Sequence, residues 1–158
     1  MAGELTHLRD DGSVHMVDVT AKQPTPRTAT AVAEVRCAET TLAALRSGDT
    51  PKGDVQAVAR LAGIQAAKKT PELIPLAHPI GIHGCEVDLE LTGTGVRLRA
   101  TVRTADRTGV EMEALTAVTV AALSLVDMLK GLDRSLVIAE AKIIAKSGGR
   151  SGDWVRTD

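Results

Sequence analysis

The chain has 158 residues, of which 44% are hydrophobic and 25% are charged, and it carries a formal net charge of −1. These values predict a single globular domain over residues 1–158 and argue against a general nucleic-acid or membrane-surface binder. We expect neither a signal peptide nor an apolar segment that spans a bilayer, so the expected location is the cytoplasm.

In chain order, the first half predicts an arm, a strand and two helices. Residues 1–26 are expected to form an extended N-terminal arm, and alternating apolar and polar residues predict a strand over 27–37. A short helix is predicted over 40–47, and Asp54 is a suitable N-cap for a second helix that ends at 68–69. Three prolines then predict a rigid connection.

The second half predicts a hairpin, a long helix and a last strand. Strands over 86–91 and 96–103 each have one apolar and one charged face, acidic on the first and basic on the second. Opposite charges can therefore pair across the solvent side of the hairpin. A long helix is predicted over 109–132, a strand over 136–145 and a glycine-rich flexible tail over 146–158.

The element order, β-α-α-β-β-α-β, predicts an α+β fold of the ferredoxin-like (split βαβ) type. We expect a four-stranded antiparallel sheet with the helices packed on one face and an extra helix in the first crossover. RNA recognition on such a sheet needs aromatic residues, and iron–sulfur carriers need about four cysteines. The chain has one Trp, no Tyr, no Phe and two cysteines, Cys37 and Cys85, which we interpret as structural thiols in a reducing compartment.

The long helix carries a stripe of polar side chains on an otherwise apolar body. At about 100° per residue, Glu113, Thr116, Ser124, Asp127 and Lys130 fall within roughly a third of the circumference. Buried charge is costly unless it is paired or used, so we expect this stripe to hold the chemistry in a sheltered groove. Asp127 and Lys130 are three residues apart and can meet; the alternative is an exposed ion pair of little energetic value.

The two ends of this stripe are too far apart to hold one small group within one chain. Glu113 and Asp127 are separated by 14 residues, which is ~21 Å along a helix. Either the ligand is long, or the pocket lies between subunits and takes each end from a different chain. The alanine-rich surfaces favour an interface pocket, and we therefore predict a homo-oligomer.

Four further residues could serve a site, three lysines by binding an anion and His78 as a hydrogen-bond donor or acid–base group, and each also has a simpler structural explanation. Lys52 lies near the start of the second helix, where backbone N–H groups favour phosphate, although Asp54 competes for them as the cap. Lys68 lies at the C-terminus of that helix, where a cation is already favoured by the helix dipole. His78 is held extended by the proline that follows but also fits an ordinary loop histidine. Lys146 opens a glycine-rich segment that is either a phosphate-facing flap or a flexible end.

Seven sequence motifs, in order and spread over almost the whole chain, occur together in one protein family. They are MVDVTAK (16–22), KGD (52–54), AGIQAAKKT (62–70), LIPLAHP (73–79), TGVEMEALTAVTVAAL (108–123), DMLK (127–130) and KSGGRSG (146–152). With these motifs the chain resembles the cyclic pyranopterin monophosphate synthases of molybdenum cofactor biosynthesis.

The resemblance implies an activity and an assembly. The activity is conversion of a cyclised dihydroguanosine triphosphate into cyclic pyranopterin monophosphate with release of diphosphate, a phosphorus–oxygen lyase reaction. The assembly is a homohexamer, a trimer of dimers with sites at subunit interfaces. No cofactor is expected, and Mg²⁺ is expected only as a companion of the triphosphate, because the sequence has no metal-ligand cluster. Rebuilding a ring calls for proton transfers, which fits the acid and amine of the stripe.

The same resemblance assigns roles to individual residues. Asp127 and Lys130 match the family's catalytic aspartate and lysine, and we hypothesise that Lys130 is a general acid or base tuned by Asp127. The residues that match the family's substrate pocket and its basic site residues are Lys52, Lys68, Leu76, Ala77, His78, Met112, Glu113 and Lys146.

Two positions depart from the family pattern. Ala77 stands where a cysteine is common, and Val126 stands where a tyrosine is usual. Neither change removes an acid–base residue, so we still expect an active enzyme, with substrate affinity the property most affected. The alternatives are a catalytically impaired paralogue, which assembles without turnover, and a non-enzymatic oligomeric module that binds nucleotides or phosphate.

Overall fold

The computed structural model describes residues 7–157 and confirms the predicted order of the main elements. Residues 1–6 of the predicted arm and residue 158 of the predicted tail lie outside the described residues. The elements are β1 (Thr25–Arg36), α1 (Glu39–Ser47), α2 (Val55–Lys68), α3 (Thr70–Leu73), β2 (Gly84–Leu91), β3 (Gly95–Asp106), α4 (Glu111–Leu129), β4 (Val137–Ser147) and β5 (Trp154–Val155).

Five strands form one antiparallel sheet in the order β2-β3-β1-β4-β5. The first four strands confirm the ferredoxin-like arrangement, with β1 between β3 and β4. The fifth corrects the prediction of four strands, because Trp154 and Val155 pair with Lys146 and Ala145 at the free edge of β4. Two residues are too few to show an alternating pattern. β4 itself runs to Ser147, two residues further than predicted.

The helices follow the predictions with small changes at their ends. Asp54 caps α2, because its carboxylate accepts a hydrogen bond from the N–H of Ala57 at 2.9 Å. The long helix spans 111–129 rather than 109–132. The connection predicted as a rigid segment contains the one-turn helix α3, which Pro71 favours at its start.

The core lies between the sheet and the helices and is built from small side chains. Ala29, Ala31 and Ala33 of β1 are fully buried, as the alternation of that strand predicts. α2 and α4 approach closely, since a Cβ at Gly63 of α2 would lie 2.9 Å from the carbonyl oxygen of Ala117 in α4. The scarcity of aromatic residues therefore corresponds to a closely packed helix layer.

α4 is long and apolar enough to cross a membrane, judged by length and composition, and 44% of its most apolar window is buried. This finding corrects the expectation that no segment of the chain meets that test. Packing explains the hydropathy: Ala114, Val118, Ala122 and Leu125 are buried in the core that α4 shares with the sheet and α2.

Asp133 ties the segment after α4 to the start of α1. Its carboxylate accepts hydrogen bonds from the N–H of Ala38 at 2.8 Å and the hydroxyl of Thr41 at 3.1 Å, and also from Ser135. α1 has no side-chain cap at its own N-cap residue, so Asp133 supplies the missing acceptor. These donors, the N–H of Ala38 first, lower the pKa of Asp133 to about 2.

Candidate active site

A cavity of about 330 Å³ lies at the N-terminal end of α4. Its walls are the first turn of that helix, the segment that follows α3 and the N-terminal arm. It brings together five of the residues that the family resemblance assigns to the substrate pocket. These are Leu76, Ala77, His78, Met112 and Glu113.

His78 is held in the wall of this cavity by the arm. Its Nε2–H donates a hydrogen bond to the carbonyl oxygen of Val17 at 2.6 Å. In the neutral ring this bond makes Nδ1 the acceptor nitrogen. The ring is oriented by a main-chain group and by the restraint of Pro79, so it suits the binding of a substrate group.

Glu113 is a buried acid in the same cavity, and the residue is 3% exposed. Burial is the main reason that its pKa is raised to about 7; the Glu113 backbone N–H opposes this shift, and the negative charge of Glu111 adds to it. A carboxyl group with this pKa is partly neutral at neutral pH, where it can donate a hydrogen bond or a proton.

The arm supplies the part of the cavity that sequence reasoning missed. His7, Val17, Val19 and Lys22 all line it, although the arm was expected only to be extended and was assigned no site residue. The signal lay in the motif at 16–22, where alternate valines can face one wall and the final lysine adds a cation near the pocket.

A smaller cavity of about 90 Å³ shares Gly109 with the first. Lys146, at the end of β4, lines it and donates a hydrogen bond to the hydroxyl of Ser151. The Lys146 ammonium also lies 3.7 Å from a carboxylate oxygen of Glu111. Lys146 therefore lies beside the pocket residues with which the resemblance groups it, and its acidic partner is Glu111, the first residue of α4.

Lys52, Asp127 and Lys130 form a second cluster at the C-terminal end of α4. The Lys130 ammonium lies 2.6 Å from one carboxylate oxygen of Asp127, and the Lys52 ammonium lies 3.6 Å from the other. Lys52 also donates a hydrogen bond to the main-chain carbonyl oxygen of Asp127 at 3.0 Å. The hydrogen bond from Lys130, followed by the charges of Lys130 and Lys52, lowers the pKa of Asp127, so its carboxylate is ionised near neutral pH.

This second cluster is exposed, which corrects the expectation of one sheltered stripe along the helix. The side chains of Asp127 and Lys130 are 58% and 63% exposed, whereas Glu113 is buried. The cluster lies on the side of α4 that faces away from the core, where Leu123 is exposed too. Within one chain the pair therefore fits the alternative of an exposed ion pair, which adds little to stability.

Lys68 lies in a third place, beside an apolar groove on the outer side of α2. α4 is an unbroken helix, so the ~21 Å between Glu113 and Asp127 that was expected from their spacing applies in the structure. One chain therefore presents the predicted site residues in separate regions. Among residues 7–157, no group of three His, Cys, Asp or Glu side chains is placed to hold a metal ion.

The fold and the two ends of α4 define a ferredoxin-like α+β protein that carries acid–base and cationic side chains. The chain belongs to the MoaC family, whose model matches residues 16–149.

Relatives named cyclic pyranopterin monophosphate synthase include one from Nocardioides sp., 55% identical over 96% of this chain and 95% of its own length. Another, from Corynebacterium efficiens, is 56% identical over 96% and 97%. A third, from Geobacter metallireducens, is 56% identical over 96% of each chain.

Proposed function

We propose that this chain is a cyclic pyranopterin monophosphate synthase. It converts (8S)-3′,8-cyclo-7,8-dihydroguanosine 5′-triphosphate into cyclic pyranopterin monophosphate and diphosphate, and the reaction is that of a phosphorus–oxygen lyase. Relatives with this name cover almost the full chain at 55–56% identity. The structural observation that carries the proposal is an ionised carboxylate, Asp127, held between the ammonium groups of Lys52 and Lys130.

Proton transfer is the work of the cluster at the C-terminal end of α4. Opening one ring and closing another requires protons to leave and join carbon, nitrogen and oxygen atoms of the substrate. Lys130 is the general acid or base, because its ammonium can move a proton and its partner lies within hydrogen-bond distance. Asp127 orients that amine and balances the charge of Lys52.

Binding is the work of the N-terminal cavity and the dispersed lysines. Glu113 and His78 offer a donor and an acceptor to the ring system, beside the apolar walls of Leu76, Ala77 and Met112. Lys52, Lys68 and Lys146 attract the phosphate groups. No cofactor has a role in these steps, and Mg²⁺ enters only as a companion of the triphosphate.

The site is completed between subunits of a homohexamer arranged as a trimer of dimers. Within one chain α4 separates its two ends by ~21 Å, and we infer that the N-terminal cavity of one chain receives the Lys52–Asp127–Lys130 cluster of another. The exposure of Asp127 and Lys130, and of apolar Leu123 between the two ends, is consistent with burial by a neighbouring chain. The free thiols of Cys37 and Cys85 suit a cytoplasmic location.

Turnover of the cyclised triphosphate, measured as diphosphate release, tests the proposal. We expect the wild-type protein to release diphosphate and Lys130→Ala to lose at least about 100-fold in kcat, with the same oligomer by sedimentation. Lys142→Ala is the control, because Lys142 pairs with Glu140 on β4 at 3.2 Å, outside both ends of α4. A wild-type protein that binds the triphosphate without releasing diphosphate would contradict the proposal and indicate an impaired paralogue or a binding module.

Mixing two inactive variants tests the shared site. His78→Ala removes the cavity end and Lys130→Ala removes the cluster end, so neither homo-oligomer is active. Random co-assembly of equal amounts pairs an intact cavity with an intact cluster at about a quarter of the sites. We expect activity near that fraction after the subunits are mixed and refolded together. Mixtures that stay as inactive as their components would place both ends of each site within one chain.

A further inference from the structure

The first residue of α4, Glu111, folds its side chain back over Gly109. A Cβ at Gly109 would overlap a carboxylate oxygen of Glu111 and would lie 2.7 Å from its Cδ atom. The φ angle of Gly109 is not positive, so the glycine is not needed for the backbone conformation but leaves the space that the flexible end of the Glu111 side chain occupies. The carboxylate of Glu111 occupies the volume that any larger residue at 109 would fill.

The Glu111 carboxylate lies at the smaller cavity, beside the glycine that both cavities share. Gly109 lines both of them, and Glu111 and Lys146 line the smaller one. The Lys146 ammonium is 3.7 Å from the carboxylate, and the two side chains are only 22% and 28% exposed. A cation that is largely covered needs a charged or hydrogen-bonding partner, and here the partners are Glu111 and Ser151.

We propose that Gly109 and Glu111 act as one positioning unit: the glycine makes room for the carboxylate, and the carboxylate holds the Lys146 ammonium where it binds a phosphate group of the substrate. This inference rests on the proposed function and extends it to two residues that do not contact the reacting atoms. Glu111 is a positioning residue, because it acts through Lys146.

A carboxylate beside a phosphate site has two opposite effects. It repels the polyanionic substrate, and it also keeps a cation in place that attracts the same substrate. Lys146 is mostly covered, so without Glu111 its ammonium would gain by moving towards water. The positioning effect therefore outweighs the repulsion, and removal of the Glu111 charge weakens binding.

Steady-state kinetics of Glu111→Gln measures the balance of these effects. We expect KM for the cyclised triphosphate to rise about fivefold, the size of one partly exposed ion pair, with kcat within about twofold and an unchanged melting temperature. Glu140→Gln is a matched control, because it breaks another glutamate–lysine pair, with Lys142 on β4, and is expected to change neither constant. A lower KM, or a loss confined to kcat, would overturn the positioning role.

A double-mutant cycle tests the part played by Gly109. Alanine there displaces only the flexible end of the Glu111 side chain, so Gly109→Ala folds and raises KM as Glu111→Gln does. In a Glu111→Ala background, where that end is missing, the Gly109→Ala change should have no further effect on KM. Additive effects of the two substitutions on KM would show that Gly109 acts independently of Glu111, and would refute the proposal that the two residues act as one positioning unit.

An NMR measurement that does not depend on enzymatic turnover separates this inference from the proposed function. The side-chain NMR resonance of Lys146, assigned by its loss in Lys146→Arg, should move in Glu111→Gln and in Gly109→Ala and stay in place in Glu140→Gln. If the wild-type protein releases no diphosphate, the proposed function fails, and the resonance still decides whether Glu111 holds Lys146. A resonance that is unmoved in both variants would overturn the inference even in an active enzyme.

Discussion

Glu113 at the N-terminal end of α4 and Asp127 at its C-terminal end are both acidic, and their surroundings shift their pKa values in opposite directions. Burial in the N-terminal cavity raises the pKa of Glu113 to about 7. At the other end, the hydrogen bond and charge of Lys130, with the charge of Lys52, lower the pKa of Asp127. One helix therefore presents a carboxyl group that is partly neutral at neutral pH and a carboxylate that is fully ionised.

The difference comes from what covers each end. At the N-terminal end, the arm and the segment of His78 form the walls of the cavity that Glu113 lines, and Glu113 is buried. The C-terminal end is bordered by Lys52, and its side chains remain in solvent. A neutral donor suits the binding of an uncharged ring, and a pair of amines around a carboxylate suits proton transfer near phosphate. Each end lacks what the other supplies, which favours a site built from both.

The largest expected effect is on the exposed end. Asp127→Asn removes the charge between the two amines, so Lys130 loses its orientation, and we expect kcat for diphosphate release to fall about 100-fold. The melting temperature should stay almost unchanged, because exposed ion pairs add little to stability. The control is Asp88→Asn on the exposed face of β2. If Asp127→Asn keeps kcat within threefold of wild type, Asp127 has no part in the chemistry.

The second-largest expected effect concerns Glu113, at the buried end of α4, and is measured as a change in the free energy of unfolding. Glu113 has a folded-state pKa of about 7 against an ordinary value of 4.5, so the folded state binds its proton more tightly than the unfolded state does. The free energy of unfolding therefore falls as pH rises from about 4.5 to about 7, by at most about 3 kcal/mol, and is then constant. Glu113→Gln, which cannot ionise, removes this part of the pH dependence.

Urea unfolding at several pH values between 4 and 8 measures that contribution. The difference in unfolding free energy between Glu113→Gln and wild type should shift in favour of the variant across this range and level off above about pH 7. Glu90→Gln, at an exposed position of β2, is expected to show a flat difference. A flat difference for Glu113→Gln as well would mean that Glu113 ionises in the folded protein as it does in the unfolded chain.

The fold was largely predictable because its signals are local. The alternation of β1 predicted which of its side chains are buried against the core. The one-sided charge of the hairpin strands predicted their solvent-facing side, where Arg103 pairs with Glu86 at 2.7 Å. The pairing of Trp154 with Lys146 was not predictable, since it depends on a free edge and leaves no periodic pattern.

The candidate site was predictable in its members and not in its arrangement. Residue spacing placed Glu113 and Asp127 on one stripe and gave their separation, which the unbroken helix has in the structure. A helical period treats both ends of a helix alike, so it could not show that the arm, through the contact of Val17 with His78, would cover only one end. Burial at that end is a long-range property of the fold.

The smallest expected effect concerns the lining of the N-terminal cavity. Ala77 lies in its wall, at a position where the family resemblance led us to expect a cysteine. Ala77→Cys adds one sulfur atom to a cavity of about 330 Å³, which improves contact with a bound ring and supplies a weak donor. We expect KM to fall about two- to threefold with kcat unchanged, since the acid–base groups at the other end of α4 are untouched.

The control is Ala105→Cys on the exposed side of β3. A change in kcat without a change in KM would show that the cavity wall affects the chemical step, and the division between a binding end and a proton-transfer end would then be wrong.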